Sequence, residues 1–336
     1  MPARKKILVL IEWFAPGYKA GGPIQSCINL CIALRDNHDI YVFTTDTDHG
    51  EITPYPGVNV NGWFSDERYG VQVYYARKKT LGMKQVLEAV RSVKADFIYL
   101  NLLFSPYFVL FPLWLKFTGR IKEQVILCPR GTLYDSAVSL KWFKKKPLLQ
   151  LMKWMGISHR ITFHATNKRE ENAITRFFPA SKIIIADNLP DLMQPGFISC
   201  PKNPGYLKCI FIARIVPIKN LLYLLKLLRS VEHSVALTIV GPVEHESYWG
   251  DCKKAITELA KRIEIKYEGP VQKDKLAALL QQHHLFILPT TGENFGHAIF
   301  EALLSGRPVL MIKPWLDIQE KGAGWAFFKV PGNLLV

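Results

Sequence analysis

Short apolar runs alternate along this chain with longer stretches whose apolar positions recur at helical spacing. In the first half the runs Ile7–Ile11, Ile40–Thr44, Val71–Tyr75, Phe97–Leu100, Val125–Cys128 and Ile161–Ala165 read as strands. Ile24–Arg35, Lys84–Val93 and Lys168–Phe177 read as helices between them. After Ile183–Ala186 the periodicity stops, and Leu189–Gly205 is rich in proline and glycine, which marks a domain boundary. A second series follows, with strands at Cys209–Ile212, Ala236–Val240, Ile263–Tyr267, Leu285–Leu288 and Val309–Ile312. Its helices are Leu221–Arg229, Trp249–Arg262, Lys273–His283 and His297–Ser305. Alternation of this kind is the signature of parallel α/β sheets covered by helices on both faces.

The pattern therefore predicts two doubly wound domains, 1–190 and 206–336, joined by a linker at 191–205. A length of 336 residues accommodates both, and 49% apolar with 21% charged residues fits a globular chain rather than a disordered one. Charge is uneven. Residues 1–168 hold 23 Lys/Arg against 12 Asp/Glu, out of a net charge of +15 for the whole chain. A basic first half suits an anionic partner such as a membrane surface, a phosphate-bearing ligand or a nucleic acid, although basic proteins without such partners are common.

The six cysteines form no CxxC pair, and Cys27 and Cys31, one helical turn apart in an apolar pattern, read as buried thiols of a reducing compartment. The start, MPARKKILVLIEWF, has too short an apolar run for a signal peptide, and Leu102–Leu115 is broken by Pro106 and Pro112 and too short for a membrane span. The expected location is the cytoplasm, with peripheral contact at the inner face of the membrane as an option.

In doubly wound sheets ligands sit beyond the carboxyl ends of the strands, which directs attention to the strand-to-helix loops. The first, Phe14 to Pro23, contains Gly21 and Gly22, which permit close backbone approach to a ligand at the following helix start. It lacks the GxGxxG spacing, and the second-strand run Ile40–Thr44 does not end on an acid in the manner that grips a ribose, so a nicotinamide enzyme is disfavoured. Arg214 and Lys219 flank the loop in CIFIARIVPIKN and suit the two phosphates of a diphosphate. The stretch PTTGENFGHAIFEALLSGRPVL places Glu293 just before a helix that begins near Phe295 or Gly296, and Glu301 over a turn into it. Capping accounts for Glu293, since an acid there complements the helix dipole; Glu301 is left for a vicinal diol such as a ribose.

Two motifs read as decoys. Asp46-Thr47-Asp48 spells a DxD metal motif, but it ends the second strand, where polar loop residues are common, so metal is not expected there. His283-His284 are adjacent and read as a helix terminus rather than a ligand pair. Leu140–Met155, LKWFKKKPLLQLMKWM, interleaves aromatic and apolar residues with lysine, the composition of an interfacial helix. Pro147 is expected to split it into two pieces, and a helix pair packed on the domain with a solvated lysine edge is the alternative.

With these residues in place, GENFGHAIFEALLSGRPVL resembles the E-x7-E region of the family 4 retaining glycosyltransferases of GT-B architecture. FIARIVPIKN is similar to their R-x4-K phosphate loop. LTIVGPVEHESYWGDCKKA and IKYEGPVQKDKLAALLQQHHLFILPT resemble the segments between. GGPIQSCINL, CPRGTLYDSA and FHATNKREENAI resemble bacterial members that build surface polysaccharides such as lipopolysaccharide. The resemblance covers nearly the whole chain.

It implies an α/β GT-B fold, two Rossmann-like doubly wound domains facing across a cleft, with the C-terminal part shortened. The implied activity is a retaining hexosyltransferase moving a sugar from a UDP- or GDP-sugar to a glycan acceptor, lipid-linked in polysaccharide biosynthesis. No cofactor or metal is implied, because the leaving diphosphate is stabilised electrostatically. Arg214 and Lys219 would hold that diphosphate with the amides around Asn294, Phe295, Gly296 and His297. Glu301 would hold the ribose and Glu293 the donor sugar. Gly241 and the backbone of Pro270 and Val271 would complete the donor site near the base, and Gly21 and Gly22 would close over it.

The sequence departs from the family in three places. Arg130 stands where many relatives carry a histidine near the reacting sugar, and is counted with Glu293, Arg214 and Lys219 as a catalytic candidate. Asn220 replaces a glycine after the loop lysine. The sequence ends soon after GAGWAFFKV, where relatives continue through more helices. The rival readings are a non-catalytic or truncated GT-B partner subunit, an epimerase of the same fold, and a nucleic-acid binder. The last lacks any recognised reading module.

Overall fold

The computed structural model describes residues 3–139, 142–191, 198–312 and 324–326. Leu140, Lys141, part of the 191–205 linker and most of GAGWAFFKV lie outside the described residues. The chain divides into two compact units, Met1–Leu189 and Pro190–Val336.

Unit 1 runs β1 (Lys5–Leu10), α1 (Gly22–Leu34), β2 (His38–Thr45), β3 (Trp63–Asp66), β4 (Val71–Ala76), α2 (Met83–Val93) and β5 (Phe97–Asn101). It continues with α3 (Phe111–Phe117), β6 (Gln124–Cys128), α4 (Asp135–Ser139), α5 (Trp142–Trp154), α6 (Ile157–Arg160), β7 (Thr162–Ala165), α7 (Lys168–Phe177) and β8 (Lys182–Ile185). The strand order is β3-β4-β2-β1-β5-β6-β7-β8, parallel except for the β3–β4 pair. Side chains on β1 alternate between the two faces, as a pleated strand demands. Leu8 and Leu10 join a core with Val86, Ile98 and Phe108, while Val9 and Ile11 join another with Ile24, Cys27 and Cys31. Both faces are therefore covered, which is why the strands read as unbroken apolar runs. The edge strand β3 was not legible, because Trp63-Phe64-Ser65-Asp66 carries neither an apolar run nor alternation.

Unit 2 runs β9 (Tyr206–Ile212), α8 (Leu221–Leu228), β10 (Ser234–Val240), α9 (Glu246–Thr257), β11 (Ile263–Gly269), α10 (Lys273–Gln281), β12 (Leu285–Leu288), α11 (His297–Leu304), β13 (Val309–Met311) and β14 (Gly324–Ala326). The order β11-β10-β9-β12-β13-β14 is parallel throughout and reverses direction between β9 and β12. The loops after those two strands define the topological switch point, where doubly wound sheets bind ligands.

Two expectations need correction. α5 runs unbroken through Pro147. Proline removes one N–H, so a helix can survive it at the loss of a single i to i−4 bond when tertiary packing holds both sides. Buried Leu149 and Met152, just beyond the proline, supply that packing. The helix expected over Trp249–Arg262 starts earlier and stops at Thr257. Asn-free apolar periodicity extended the sequence-based boundary, but the turn before β11 takes those last residues.

Candidate active site

The loop after β9 is built by close backbone packing. Ala213 N donates to Val240 O at 3.0 Å and Ile215 N to Pro242 O at 2.8 Å, so it continues alongside the β10 exit. Gly241, at φ 138°, makes this approach possible: a Cβ there would drive into the Ala213 carbonyl. Gly241 thus shapes the loop that carries Arg214. The loop closes with Pro217–Lys219 as one 3-10 turn and Asn220 at φ 61°. Asparagine is the common non-glycine occupant of left-handed backbone, which suits Asn220 to this turn.

The loop after β12 is stitched to the first. Thr291 N donates to Ile218 O at 2.9 Å, and the Thr290 hydroxyl donates to the same oxygen at 3.1 Å. Gly292 lies against Ile218, whose Cδ1 would be 2.9 Å from an added Cβ. This seam brings Lys219 and Glu293 together as an ion pair, with side chains 14% and 12% exposed. Arg214 does not join them. Its Nη1 meets Glu244 Oε2 at 2.8 Å, in a more open setting.

α11 starts at His297 after Gly296, whose φ of 83° ends the loop, and no side chain caps it. The Glu293 side chain lies against this start: its Cγ would be 3.8 Å from a Cβ at Gly296. Phe295 stacks on Phe300 at 4.5 Å and meets the tilted His297 ring at 4.7 Å, fixing the first turn. An uncapped helix N-terminus with a partly buried lysine beside it is a favourable place for a phosphate.

Glu301 stands apart from the Lys219–Glu293 pair. It lines a cavity of about 60 Å³ with Asp191, Lys273, Leu276, Ala277, Leu280, Leu304 and Ser305. Lys273 Nζ and Asp191 Oδ2 pair at 2.6 Å on its wall. Burial pushes the Glu301 carboxyl up to about 7; Lys273 pulls it down and Asp191 pushes it further up. The Ser305 hydroxyl oxygen is buried with no hydrogen-bond partner. Leu276 and Leu280 come from α10, which follows the Pro270–Val271 loop. Val271 packs against the unit 2 core, and Gly241 N donates to Gly269 O at 2.9 Å just before it.

In unit 1 the loop before α1 is held by a carboxylate the sequence reading set aside. Asp48 accepts from Tyr18 N at 2.9 Å and Lys19 N at 3.2 Å, and Lys19 pairs with Glu51. Asp46 accepts from Lys78 N at 2.9 Å. Both acids of the DxD string thus serve backbone amides. Gly21 caps α1 at φ 67°, with open space around it, and Gly22 begins the helix.

Arg130, at φ 50° after β6, is turned inward: 9% exposed, it donates from Nε to Asn101 at 2.8 Å and from Nη1 to Asn188 at 2.7 Å. At the unit 1 switch point between β1 and β5, the Ser105 hydroxyl donates to Glu12 Oε2 at 3.1 Å. The adjacent histidines serve different partners, His283 reaching Thr238 and His284 reaching Pro201.

Sequence reasoning missed Glu244, Lys273, Asp191, Ser305 and Glu12. Glu244, Lys273, Asp191 and Glu12 are placed by strand order or by a distant loop, so no local spacing marks them, whereas Ser305 follows Glu301 by one turn at the end of α11. Asp191 carried a weak signal, as an acid at the head of the predicted linker.

A doubly wound sheet in each unit, with cations at the unit 2 switch point, is the GT-B fold. Residues 207–325, which lie within unit 2, match the family model described as Glycosyl transferases group 1. No curated protein matches the chain. Among solved structures, Anabaena Alr3699/HepE in complex with UDP-glucose aligns at a TM-score of 0.65 with 18% identity, covering 92% of this chain and 80% of that one. Sucrose-phosphate synthase from Thermosynechococcus elongatus aligns at 0.62 with 15% identity, covering 92% and 81%. WaaG, a glycosyltransferase involved in lipopolysaccharide biosynthesis, aligns at 0.60 with 12% identity, covering 96% and 86%.

Proposed function

We propose that the protein transfers a sugar from a nucleoside diphosphate sugar to a glycan acceptor, with retention of anomeric configuration. The observation that carries this reading is the meeting of Lys219, Glu293 and the uncapped start of α11 at the β9–β12 switch point of a group 1 glycosyltransferase domain. Lys219 and Arg214 neutralise the diphosphate, and the α11 amides add a fixed positive end that grows in value as the leaving group gains charge. No metal is called on. Glu301 accepts the ribose hydroxyls from its cavity, with the base against the backbone near Pro270 and Val271. Glu293, already engaged with Lys219, orients the donor sugar.

Retention follows an internal-return path: the diphosphate leaves and the acceptor hydroxyl attacks from the same face, passing its proton to the departing phosphate oxygen. Arg130 acts at a distance, fixing the carboxyl edge of the unit 1 sheet through Asn101 and Asn188 rather than touching the sugar. UDP in the HepE complexes favours a uridine donor, and the involvement of WaaG in lipopolysaccharide biosynthesis supports a surface-polysaccharide acceptor, lipid-linked in our reading.

Calorimetric titration of the full chain with UDP, GDP and their hexose conjugates tests the donor site, alongside Arg214→Ala, Lys219→Ala and Glu301→Ala. Binding by the wild type and at least tenfold weakening in each variant is expected, one decade being about 1.4 kcal/mol. Absence of binding to every nucleotide and nucleotide sugar would overturn the reading.

A further inference from the structure

The correction at Pro147 exposes a surface that a broken helix would not have. Along α5, Phe143, Pro147, Leu151 and Trp154 recur at one-turn and two-turn spacings. At 100° per residue they fall within an arc of about 80°. Leu149 and Met152, which bury into the unit 1 core, lie roughly opposite. The helix therefore points an apolar ridge away from the core of unit 1. Phe143 is 71% exposed, Trp154 74% and Leu151 47%. Lys146 and Lys153 flank the ridge on one side, and Lys144 on the other.

The ridge continues onto neighbouring elements. The Trp154 ring meets Phe117 of α3 at 5.9 Å, and Phe117 meets Trp114, itself 46% exposed, at 5.8 Å. The Arg160 guanidinium of α6 sits 5.2 Å over Phe117. Lys146 lies 5.9 Å from the Trp142 ring, and Lys144 5.9 Å from that of Phe143. The three helices α3, α5 and α6 hold six Lys/Arg and no Asp/Glu. One face thus combines protruding aromatic rings with a rim of cations and almost no acid.

We propose that this face, formed by α3, α5 and α6, docks on an anionic lipid bilayer. Phe143, Leu151 and Trp154 enter the boundary between headgroups and acyl chains, and Lys144, Lys146 and Lys153 reach the lipid phosphates along their apolar stems. A second copy of the chain fits poorly, because matching two such rims sets like charges against each other. A nucleic acid would satisfy the lysines but leaves Leu151 and Phe143 without an apolar medium. The bilayer supplies both. The proposal is independent of the donor site, which lies in unit 2.

Vesicle flotation of the full chain tests it, with phosphatidylcholine alone and phosphatidylcholine mixed with phosphatidylglycerol. Two variants accompany the wild type: F143S/W154S and K144E/K146E/K153E. Wild type should float with the mixed vesicles, bind neutral ones at least tenfold more weakly, and shift its tryptophan emission to the blue on binding. Each lysine is worth roughly fivefold near an anionic surface, so the charge-reversed variant should lose more than a hundredfold. The aromatic variant should lose about tenfold or more. The changed side chains are mostly solvent-exposed, so melting temperature and UDP affinity should stay at wild-type values, which separates loss of docking from loss of fold or donor site. Undiminished flotation of either variant, or equal binding to neutral vesicles, overturns the proposal. So does wild-type dimerisation abolished by F143S/W154S, which assigns the ridge to a second copy. Binding to single-stranded RNA tighter than to vesicles and indifferent to F143S/W154S overturns it in favour of a polyanion.

Discussion

Lys219 and Glu293 lie 74 residues apart in the sequence and meet as a largely hidden ion pair at the switch point of unit 2. The pair changes the meaning of both residues. Each neutralises the other in the free protein, so an arriving diphosphate must share or take over the lysine.

Glu293→Gln should therefore separate binding from turnover. Freed of its carboxylate partner, Lys219 offers full charge to the diphosphate, and affinity for free UDP should rise a few-fold. Turnover should fall by at least tenfold because the group proposed to orient the sugar is gone. Weaker UDP binding by titration would count against the shared-lysine account. Lys219→Ala leaves a largely hidden carboxylate without its cation, and should cost about 2 kcal/mol in denaturant melts as well as donor affinity.

Glu301 makes stability and binding depend on pH in opposite directions. Its carboxyl is raised from 4.5 to about 7, so between those values the folded state holds a proton the unfolded chain releases. Below 4.5 the group is neutral in both states and costs nothing; as pH rises through about 7 the penalty of the buried charge develops fully. Stability should fall over that window, by up to about 3 kcal/mol from the size of the shift. Glu301→Gln should abolish the slope, and equal slopes for both proteins in urea melts would refute the assignment. Nucleotide affinity should instead rise with pH through about 7, as the carboxylate we propose as acceptor of the ribose hydroxyls forms.

The walls of the same cavity tune that carboxyl. Lys273→Met removes the cation that lowers it, and the midpoint of nucleotide affinity should move to higher pH. Asp191→Asn removes the anion that raises it and should move the midpoint down. Titrating binding against pH in both variants checks the two signs at once.

Two glycines at positive φ should respond very differently to alanine. Gly241→Ala sets a methyl group into the Ala213 carbonyl, so the Arg214 loop must move, at a cost of about 3 kcal/mol or more. Gly21→Ala meets nothing within 4 Å and carries only the left-handed backbone penalty of about 1–2 kcal/mol. Thermal melts distinguish them, and only the first should also weaken UDP binding.

Asn220→Gly should be neutral or stabilising by up to about 1 kcal/mol, because glycine holds φ 61° without strain. Asn220→Val should destabilise by about 1–2 kcal/mol. If valine is tolerated in equilibrium unfolding, the left-handed turn is not what fixes Lys219.

Much of this molecule is written locally. Strands buried on both faces show as plain apolar runs, so β1, β2, β5, β6, β9, β10 and β12 announce themselves, and helical periodicity places α1, α7 and α10. The loop cations and the two acids of GENFGHAIFE are visible for the same reason: each is a polar residue interrupting an apolar pattern. Strand order is not local. It decided that the loops after β9 and β12 are neighbours, that Lys219 pairs with Glu293 while Arg214 turns to Glu244, and that Glu301 faces Lys273 and Asp191. It also decided that Arg130 is sealed against Asn101 and Asn188. The α5 ridge shows the same division. Sequence composition supplied its aromatics and lysines, but only packing of Leu149 and Met152 against the core fixed which face meets the outside. Periodicity records which side of an element is apolar; the partner that side meets is set by long-range contacts that no short window contains.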